Sequence, residues 1–196
     1  GHTIIGFKAG DKITTASQNT AVGDEALGAN TGGSLNTAIG YNAMLGNTTG
    51  GDCTAVGARA LDAANAADGN TAVGSAALGA NTTGAQNTAL GTYALDANTT
   101  GSSNSALGKS ALGGNTTGNQ NTAVGHEALL SNTTASYNTG VGYASLGGIT
   151  TGDSNTALGH NAGTSITTGA ENVTIGAASG DSILGGNYNT ILGSSS

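Results

Sequence analysis

The sequence lacks most of the residues that build an ordinary globular core. Its 196 residues include no proline, no tryptophan, one phenylalanine and one methionine, and aromatic residues make up only 3%. Much of the 36% hydrophobic content is alanine. A conventional domain of this length needs large apolar side chains to fill its interior, so the composition argues against one.

Charged residues are also scarce, at 8%, and the net charge is −7 with only four Lys and Arg residues. So few cations argue against binding to a nucleic-acid backbone or to an anionic membrane surface. No apolar run approaches the roughly 18 residues of a membrane-spanning helix, and the N-terminus has no signal-peptide pattern. The single cysteine, Cys53, rules out an internal disulfide.

What the sequence has instead is a strict repeat of 17 residues. Glycine recurs at that interval from Gly6 to Gly193 without insertion or deletion. The 36 glycines would suit a disordered chain, but low charge and regularly spaced aliphatic residues indicate an ordered repeat protein.

We number each repeat from its asparagine, so that Asn70 is position 1 and Gln86 is position 17 of NTAVGSAALGANTTGAQ. We predict one repeat domain over residues 2–193, followed by a tail at 194–196. Eleven complete repeats span 2–188 and a partial twelfth spans 189–193. Because both ends interrupt the repeat, we expect a fragment of a longer fibre.

Positions 2 to 4 predict a short β-strand in every repeat. Position 2 is nearly always Thr, position 3 usually Ala, and position 4 is Val, Ile or Leu in all twelve copies, followed by Gly at position 5. Strands this short are stable only when stacked on neighbours. A helix over segments such as Ser75–Leu78 fails on length, because Gly and Asn-Thr-Thr-Gly interrupt each run.

The Asn-Thr-Thr-Gly of positions 12 to 15 predicts a second extended segment and a second corner. We therefore predict an all-β fold, a parallel β-roll or β-solenoid with one repeat per coil and two or three short strands in each coil. Stacking at ~4.8 Å per coil gives a rod on the order of 55 Å long. We expect Val73 and Leu78 to fill the coil, Gly74 and Gly84 to turn it, and asparagines to satisfy backbone groups at the turns.

An exchange between positions 9 and 12 indicates that both face one close-packed interior. Position 9 is Leu or Met in eight complete repeats and Gly in the other three, and in those three position 12 becomes Ile. One large aliphatic group per coil is thereby kept. One repeat departs from this rule, with Leu146 and Ile149 together. The exchanged pairs are Gly10 with Ile13, Gly163 with Ile166, and Gly180 with Ile183.

No group of residues points to catalysis, a metal or a cofactor, and we expect none. His126 and His160 share position 6 but lie two coils apart, about 10 Å, too far for one metal ion. A ring of three His126 around a threefold axis stays an alternative. The carboxylates are scattered over different positions. We interpret the Asn-x-Thr motifs as structural parts of the repeat rather than as glycosylation sites. We interpret Cys53 as an unreactive, buried or half-buried thiol.

Variation concentrates at positions 6, 7, 16 and 17, which are therefore expected on the surface. All five tyrosines occur at positions 6, 7 or 17, and exposed aromatic side chains can contact sugars or proteins. The alternative is that these positions vary only because an exposed position tolerates many kinds of side chain. The candidate receptor contacts are Tyr41, Tyr93, His126, Tyr143 and His160.

The recurring Asn-Thr-Ala-Val/Ile/Leu-Gly, as in Asn19–Gly23, Asn36–Gly40 and Asn121–Gly125, resembles the head repeats of trimeric autotransporter adhesins of the YadA type. It is also similar to repeats of phage tail fibres. This resemblance implies a left-handed β-roll with three chains side by side, displayed on a cell surface or a virion. The 17-residue repeat is longer than the adhesin-head unit, so the coil shape need not transfer.

We therefore expect a non-catalytic, homotrimeric fibre segment that contacts a host-surface glycan or protein, without nucleic acid or membrane insertion. Each coil buries little apolar surface of its own, which also favours association with further chains. One alternative is a pure structural spacer. Another is an ice-binding solenoid, which we disfavour because adjacent threonines should point opposite ways and position 2 is partnered by an aliphatic residue at position 4.

Overall fold

The structure is a computed structural model that describes residues 1–63 and 66–195. It contains one parallel sheet of twelve strands in sequential order, and each strand has three residues from positions 2 to 4. The strands are β1 (Thr3–Ile5), β2 (Thr20–Val22), β3 (Thr37–Ile39), β4 (Thr54–Val56), β5 (Thr71–Val73), β6 (Thr88–Leu90), β7 (Ser105–Leu107), β8 (Thr122–Val124), β9 (Thr139–Val141), β10 (Thr156–Leu158), β11 (Val173–Ile175) and β12 (Thr190–Leu192).

Neighbouring strands pair 17 residues apart along the whole rod. Thr71 lies opposite Thr88, and Val73 lies opposite Leu90. The predicted parallel β-solenoid with one 17-residue repeat per coil is confirmed, and the described residues form no helix.

The prediction of further strands in each coil is wrong for the described residues. At positions 13 and 14 the amides of Thr82 and Thr83 both donate to the carbonyl of Thr99, at 2.9 and 3.2 Å. A regular parallel ladder does not give two successive amides the same acceptor, so the chain bends here. Thr82 and Thr83 are both exposed.

Positions 6 to 12 form a series of tight turns rather than a strand or a helix. The residues at positions 7 and 9 have left-handed backbones, as at Ala76 (φ 56°) and Leu78 (φ 52°). The Leu78 amide donates to the carbonyl of Ala94 in the next coil at 2.9 Å. These turns bring positions 8 and 9 into the interior and attach each coil to its neighbour.

Glycine at position 5 is required by close backbone contact as well as by its φ angle. Gly74 has φ 133°, and a Cβ there would lie 2.6 Å from the carbonyl carbon of Gly91 in the next coil. The predicted corner is confirmed. At position 15, a Cβ on Gly84 would lie 2.5 Å from Oδ1 of Asn81 and closer still to the carbonyl oxygen of Gly101.

The interior consists of positions 1, 3, 8, 9, 12 and 15. Leu78 is fully buried as predicted, and so is Ala72 at position 3. The expectation that Val73 fills the coil is wrong, because position 4 lies on the outer face of the sheet and is buried in none of the twelve strands. Successive strand residues face opposite sides, so an inward Ala72 places Thr71 and Val73 outside.

The exchange between positions 9 and 12 is confirmed as a packing relation. A Cβ on Gly163 would lie 3.3 Å from Cδ1 of Ile166, so the two positions share one space. In the repeat with both Leu146 and Ile149, both side chains are fully buried, and position 3 is Gly140 instead of alanine. A Cβ on Gly140 would lie 3.0 Å from the carbonyl oxygen of Ser145 and 3.4 Å from Cγ of Leu129, so position 3 is closely packed in this coil.

Two buried asparagine ladders meet on the carbonyl of position 15, as predicted for the turns. Nδ2 of Asn70 and Nδ2 of Asn81 both donate to the carbonyl of Gly84, at 2.9 Å each. Oδ1 of Asn70 accepts the amide of Asn87 at 2.9 Å, which joins one coil to the next. Most of the buried asparagine groups are thus paired along the rod, as buried polar groups require, and Oδ1 of Asn132 is an exception without a partner.

Candidate functional site

The outer face of the sheet carries an exposed or half-buried aliphatic side chain on every coil, which we call the aliphatic row. Leu90, Leu107 and Leu158 expose 45%, 46% and 49% of their surface, and Ile39 exposes 40%. The aliphatic row consists of Ile5, Val22, Ile39, Val56, Val73, Leu90, Leu107, Val124, Val141, Leu158, Ile175 and Leu192. An apolar strip of this length on an outer surface is a candidate interaction site.

A row of hydroxyls at position 2 lies beside the aliphatic row, on the same face. Thr71, Thr88 and Ser105 are all exposed. Within the described residues, none of the position-2 hydroxyls forms a hydrogen bond with protein, whereas position-13 hydroxyls such as that of Thr99 donate to the next coil at 3.0 Å. The position-2 hydroxyls are therefore available to water or to a partner.

Three of the five predicted contact residues lie together in a stack that we call the ring column: His126, Tyr143 and His160. The ring centroids of His126 and Tyr143 are 5.4 Å apart, with the planes tilted by 32°. Those of Tyr143 and His160 are 5.2 Å apart and nearly parallel, at 14°. The two histidines are two coils apart as expected, but Tyr143 connects them into one surface.

The other two predicted contacts stand apart from the ring column. Tyr41 is at position 6 of the third coil and is 53% exposed, and Tyr93 is at position 7 of the sixth coil and is 47% exposed. Neither has a ring partner within the described residues. The structure therefore brings together three of the five residues.

Two carboxyl groups of the rod have raised pKa values. The pKa of Asp96 is raised by burial, and that of Asp62 is raised by burial against the opposing effect of Arg59. Across 1–63 and 66–195, no three His, Cys, Asp or Glu residues are placed to hold a metal ion. A surface cleft of about 200 Å³ near the N-terminus contains charges of both signs, including Lys12 and Glu25.

Cys53 replaces asparagine in the position-1 ladder and is only 1% exposed. Burial is the main cause that raises the pKa of its thiol. The Asn-x-Thr asparagines are also fully buried, and their side chains are engaged at the turns, which supports their interpretation as structural parts of the repeat. They are Asn47, Asn81, Asn98, Asn115, Asn132 and Asn172.

Sequence reasoning missed the aliphatic row, although a signal for it existed. Position 3 changes together with the interior positions: Ile4 accompanies Gly10, and Thr174 accompanies Gly180. A Cβ on Gly180 would lie 2.7 Å from Cγ2 of Thr174, so position 3 belongs to the same packed space. An inward position 3 requires an outward position 4.

Comparison with known proteins gives no match to a family model, to a curated protein or to a solved structure. Within the described part of the chain there is also no helix with the length and apolar character needed to cross a membrane. Any function must therefore be argued from the surfaces of the rod.

Proposed function

We propose that this chain is a non-catalytic segment of a homotrimeric fibre, on a bacterial cell surface or a phage tail, that serves in structure and attachment. The observation that supports the proposal best is the aliphatic row. It places an apolar side chain outside on all twelve strands, where a second copy of the chain can cover it.

The size of the face fits an interface between copies. Twelve strands of three residues make a strip about 55 Å long and about 10 Å wide, or about 550 Å² per chain. Two such faces together reach the total of about 1,000 Å² that a specific interface needs. Covering side chains such as Leu107 and Leu158 removes their exposed apolar surface from water, a gain that recurs on each coil.

A trimer also follows from the resemblance to adhesin heads, whereas the aliphatic row by itself supports association without fixing the number. Display on a cell or virion is proposed on the same resemblance. Labelling intact cells or phage particles with an antibody against the rod tests that location.

The trimer is tested by sedimentation velocity at micromolar concentration, where we expect three times the 18.5 kDa of one chain. Leu107→Asp combined with Val124→Asp introduces two charges into the aliphatic row and should give a monomer. Thr117→Asp is the matched control, because Thr117 is exposed at position 14, outside the sheet. A wild-type mass of 18.5 kDa, or a dimer, contradicts the proposed trimer.

Ice binding is a second candidate, favoured by the free hydroxyls of position 2 beside the aliphatic row. Regular rows of hydroxyl and methyl groups can order water on a flat face. The mixture of Val, Ile and Leu in the aliphatic row makes that face uneven, so we favour a protein partner. A monomer that shows thermal hysteresis, with loss of hysteresis in the Leu107→Asp and Val124→Asp variant, supports ice binding instead.

A further inference from the structure

The ring column lies within a stretch where position 6 carries a cation or a ring in four consecutive coils. Lys109 precedes His126, Tyr143 and His160, and the next residue at this position is Ala177. In the other coils, large position-6 side chains are separated from one another, as Phe7 and Tyr41 are by Asp24. The stretch therefore offers a continuous line of polar side chains along the rod.

Stacking determines which atoms the ring column presents to a ligand. Tyr143 has His126 at 5.4 Å and His160 at 5.2 Å, between centroids, so its two faces are covered by imidazoles. The phenol O–H of Tyr143 and the imidazole nitrogens of His160 are left for hydrogen bonds, whereas Nε2 of His126 lies 3.6 Å from Glu127. Because Tyr143 is 47% exposed, a ligand can reach these groups.

The backbone beneath the rings is held rigidly from coil to coil. The Ala144 amide donates to the carbonyl of His126 at 3.0 Å, and the Asn161 amide donates to the carbonyl of Tyr143 at 2.8 Å. These bonds fix the spacing of the coils that carry the rings, so the backbone of the ring column needs no rearrangement when a ligand arrives.

The one lysine of this stretch, Lys109, favours a ligand that carries negative charge, and the lack of any other Lys or Arg at positions 6 and 7 of these four coils favours a ligand of low charge density. The chain has only four Lys and Arg residues and a net charge of −7, yet Lys109 lies one coil before His126 in the same column. Glu127 lies 3.6 Å from Nε2 of His126 and opposes a densely charged ligand. A chain with one carboxylate per sugar fits this balance better than a heavily sulfated one.

We propose that the ring column, together with Lys109, binds a linear polysaccharide that carries carboxylate groups and lies along the rod. Each coil then supplies one polar group to a successive part of the sugar chain. This inference deepens the proposed attachment role and rests on it.

Biolayer interferometry on the full chain tests the inference, with polygalacturonate as the carboxylated probe, dextran as the neutral one and heparin as the sulfated one. We expect binding to polygalacturonate, weakened at least tenfold by Tyr143→Ala. Tyr137→Ala is the control and should leave the affinity unchanged, because Tyr137 is a 61% exposed tyrosine at position 17 without a ring partner. Circular dichroism verifies that both variants are folded.

The inference is overturned if polygalacturonate does not bind, if dextran or heparin binds at least as tightly, or if the two variants behave alike. Sedimentation of the same samples separates this result from the trimer. A trimer that does not bind polygalacturonate contradicts the proposed ligand only. A monomer that binds polygalacturonate contradicts the proposed trimer and supports the proposed ligand.

Discussion

Leu90 and Leu95 are the same residue type in the same coil, and the solenoid gives them opposite environments. Leu95 at position 9 is fully buried, whereas Leu90 at position 4 is 45% exposed. Both recur with the 17-residue period, so periodicity identifies each as a constrained position. The difference shows that one row holds the coil together and the other remains available to a partner.

The largest expected effect comes from truncating the inner leucine. Leu95→Ala should lower the free energy of unfolding by about 2 to 5 kcal/mol, because a buried cavity replaces the side chain. Leu90→Ala should cost less than about 1 kcal/mol, since the removed atoms are already partly hydrated. Urea denaturation of both variants measures the difference.

Both alanine variants are to be measured in a chain that also carries Leu107→Asp and Val124→Asp, so that association between chains does not contribute to the measured stability. Equal destabilisation by Leu95→Ala and Leu90→Ala in that background would contradict the assignment of inner and outer rows. In the unmodified chain, Leu90→Ala should instead weaken association, which sedimentation at decreasing concentration detects.

The same contrast between inside and outside applies to asparagine. Asn98 is fully buried, and its Nδ2 donates to the Gly101 carbonyl at 3.0 Å and to Oδ1 of Asn81 at 2.9 Å. Asn98→Ala removes these bonds and leaves buried groups unpaired, so we expect a loss of about 1 to 3 kcal/mol. Urea denaturation in the same dissociated background measures it.

Asn119→Ala is the control for Asn98→Ala, because Asn119 is exposed at position 16. Its Oδ1 accepts the Ser102 amide at 2.8 Å, but water can replace an exposed partner, so the loss should stay below about 1 kcal/mol. A loss as large as that of Asn98→Ala would show that burial of the asparagine ladder contributes little.

Much of the fold could be predicted because the repeat copies constrain one another. The 17-residue period predicted one repeat per coil, and the invariant glycine at position 5 predicted the corner. Repeats with Gly at position 9 and Ile at position 12, such as that of Gly163 and Ile166, predicted that the two positions share one interior. The direction of position 4 could not be read from alternation alone, since a strand with period two fits its sheet in either orientation. The larger aliphatic residue suggested the interior, but in the structure the small Ala72 is the strand residue that is buried beside Leu78.

The candidate site was predictable in its residues but not in its arrangement. The variable positions gave Tyr143, His126 and His160 correctly as surface residues, because side chains free of packing vary most among copies. Whether successive rings stack depends on rotamers and on the spacing of coils, which the sequence does not specify. Sequence reasoning missed the aliphatic row because alternation alone does not show which face of a strand turns inward. Ile4 and Thr174 at position 3 were the residues that indicated the inward face.

The smallest expected effect tests the replacement of asparagine by Cys53 within the position-1 ladder. Cys53 accepts the Asn70 amide through Sγ at 3.4 Å and donates its thiol at 3.3 Å to the Ala67 carbonyl. Sulfur hydrogen bonds are weak, so Cys53→Asn should restore the pattern of the other coils and raise stability by about 1 kcal/mol. Urea denaturation measures this gain, and Cys53→Ala should change stability in the opposite direction.

Because burial raises the pKa of the Cys53 thiol, less of it is thiolate at a given pH than in an exposed cysteine. Iodoacetamide at pH 8 should therefore label the native rod slowly and the urea-unfolded chain fast. Rapid labelling of the native rod, or no gain from Cys53→Asn, would mean that this position is more open than the inner rows around it.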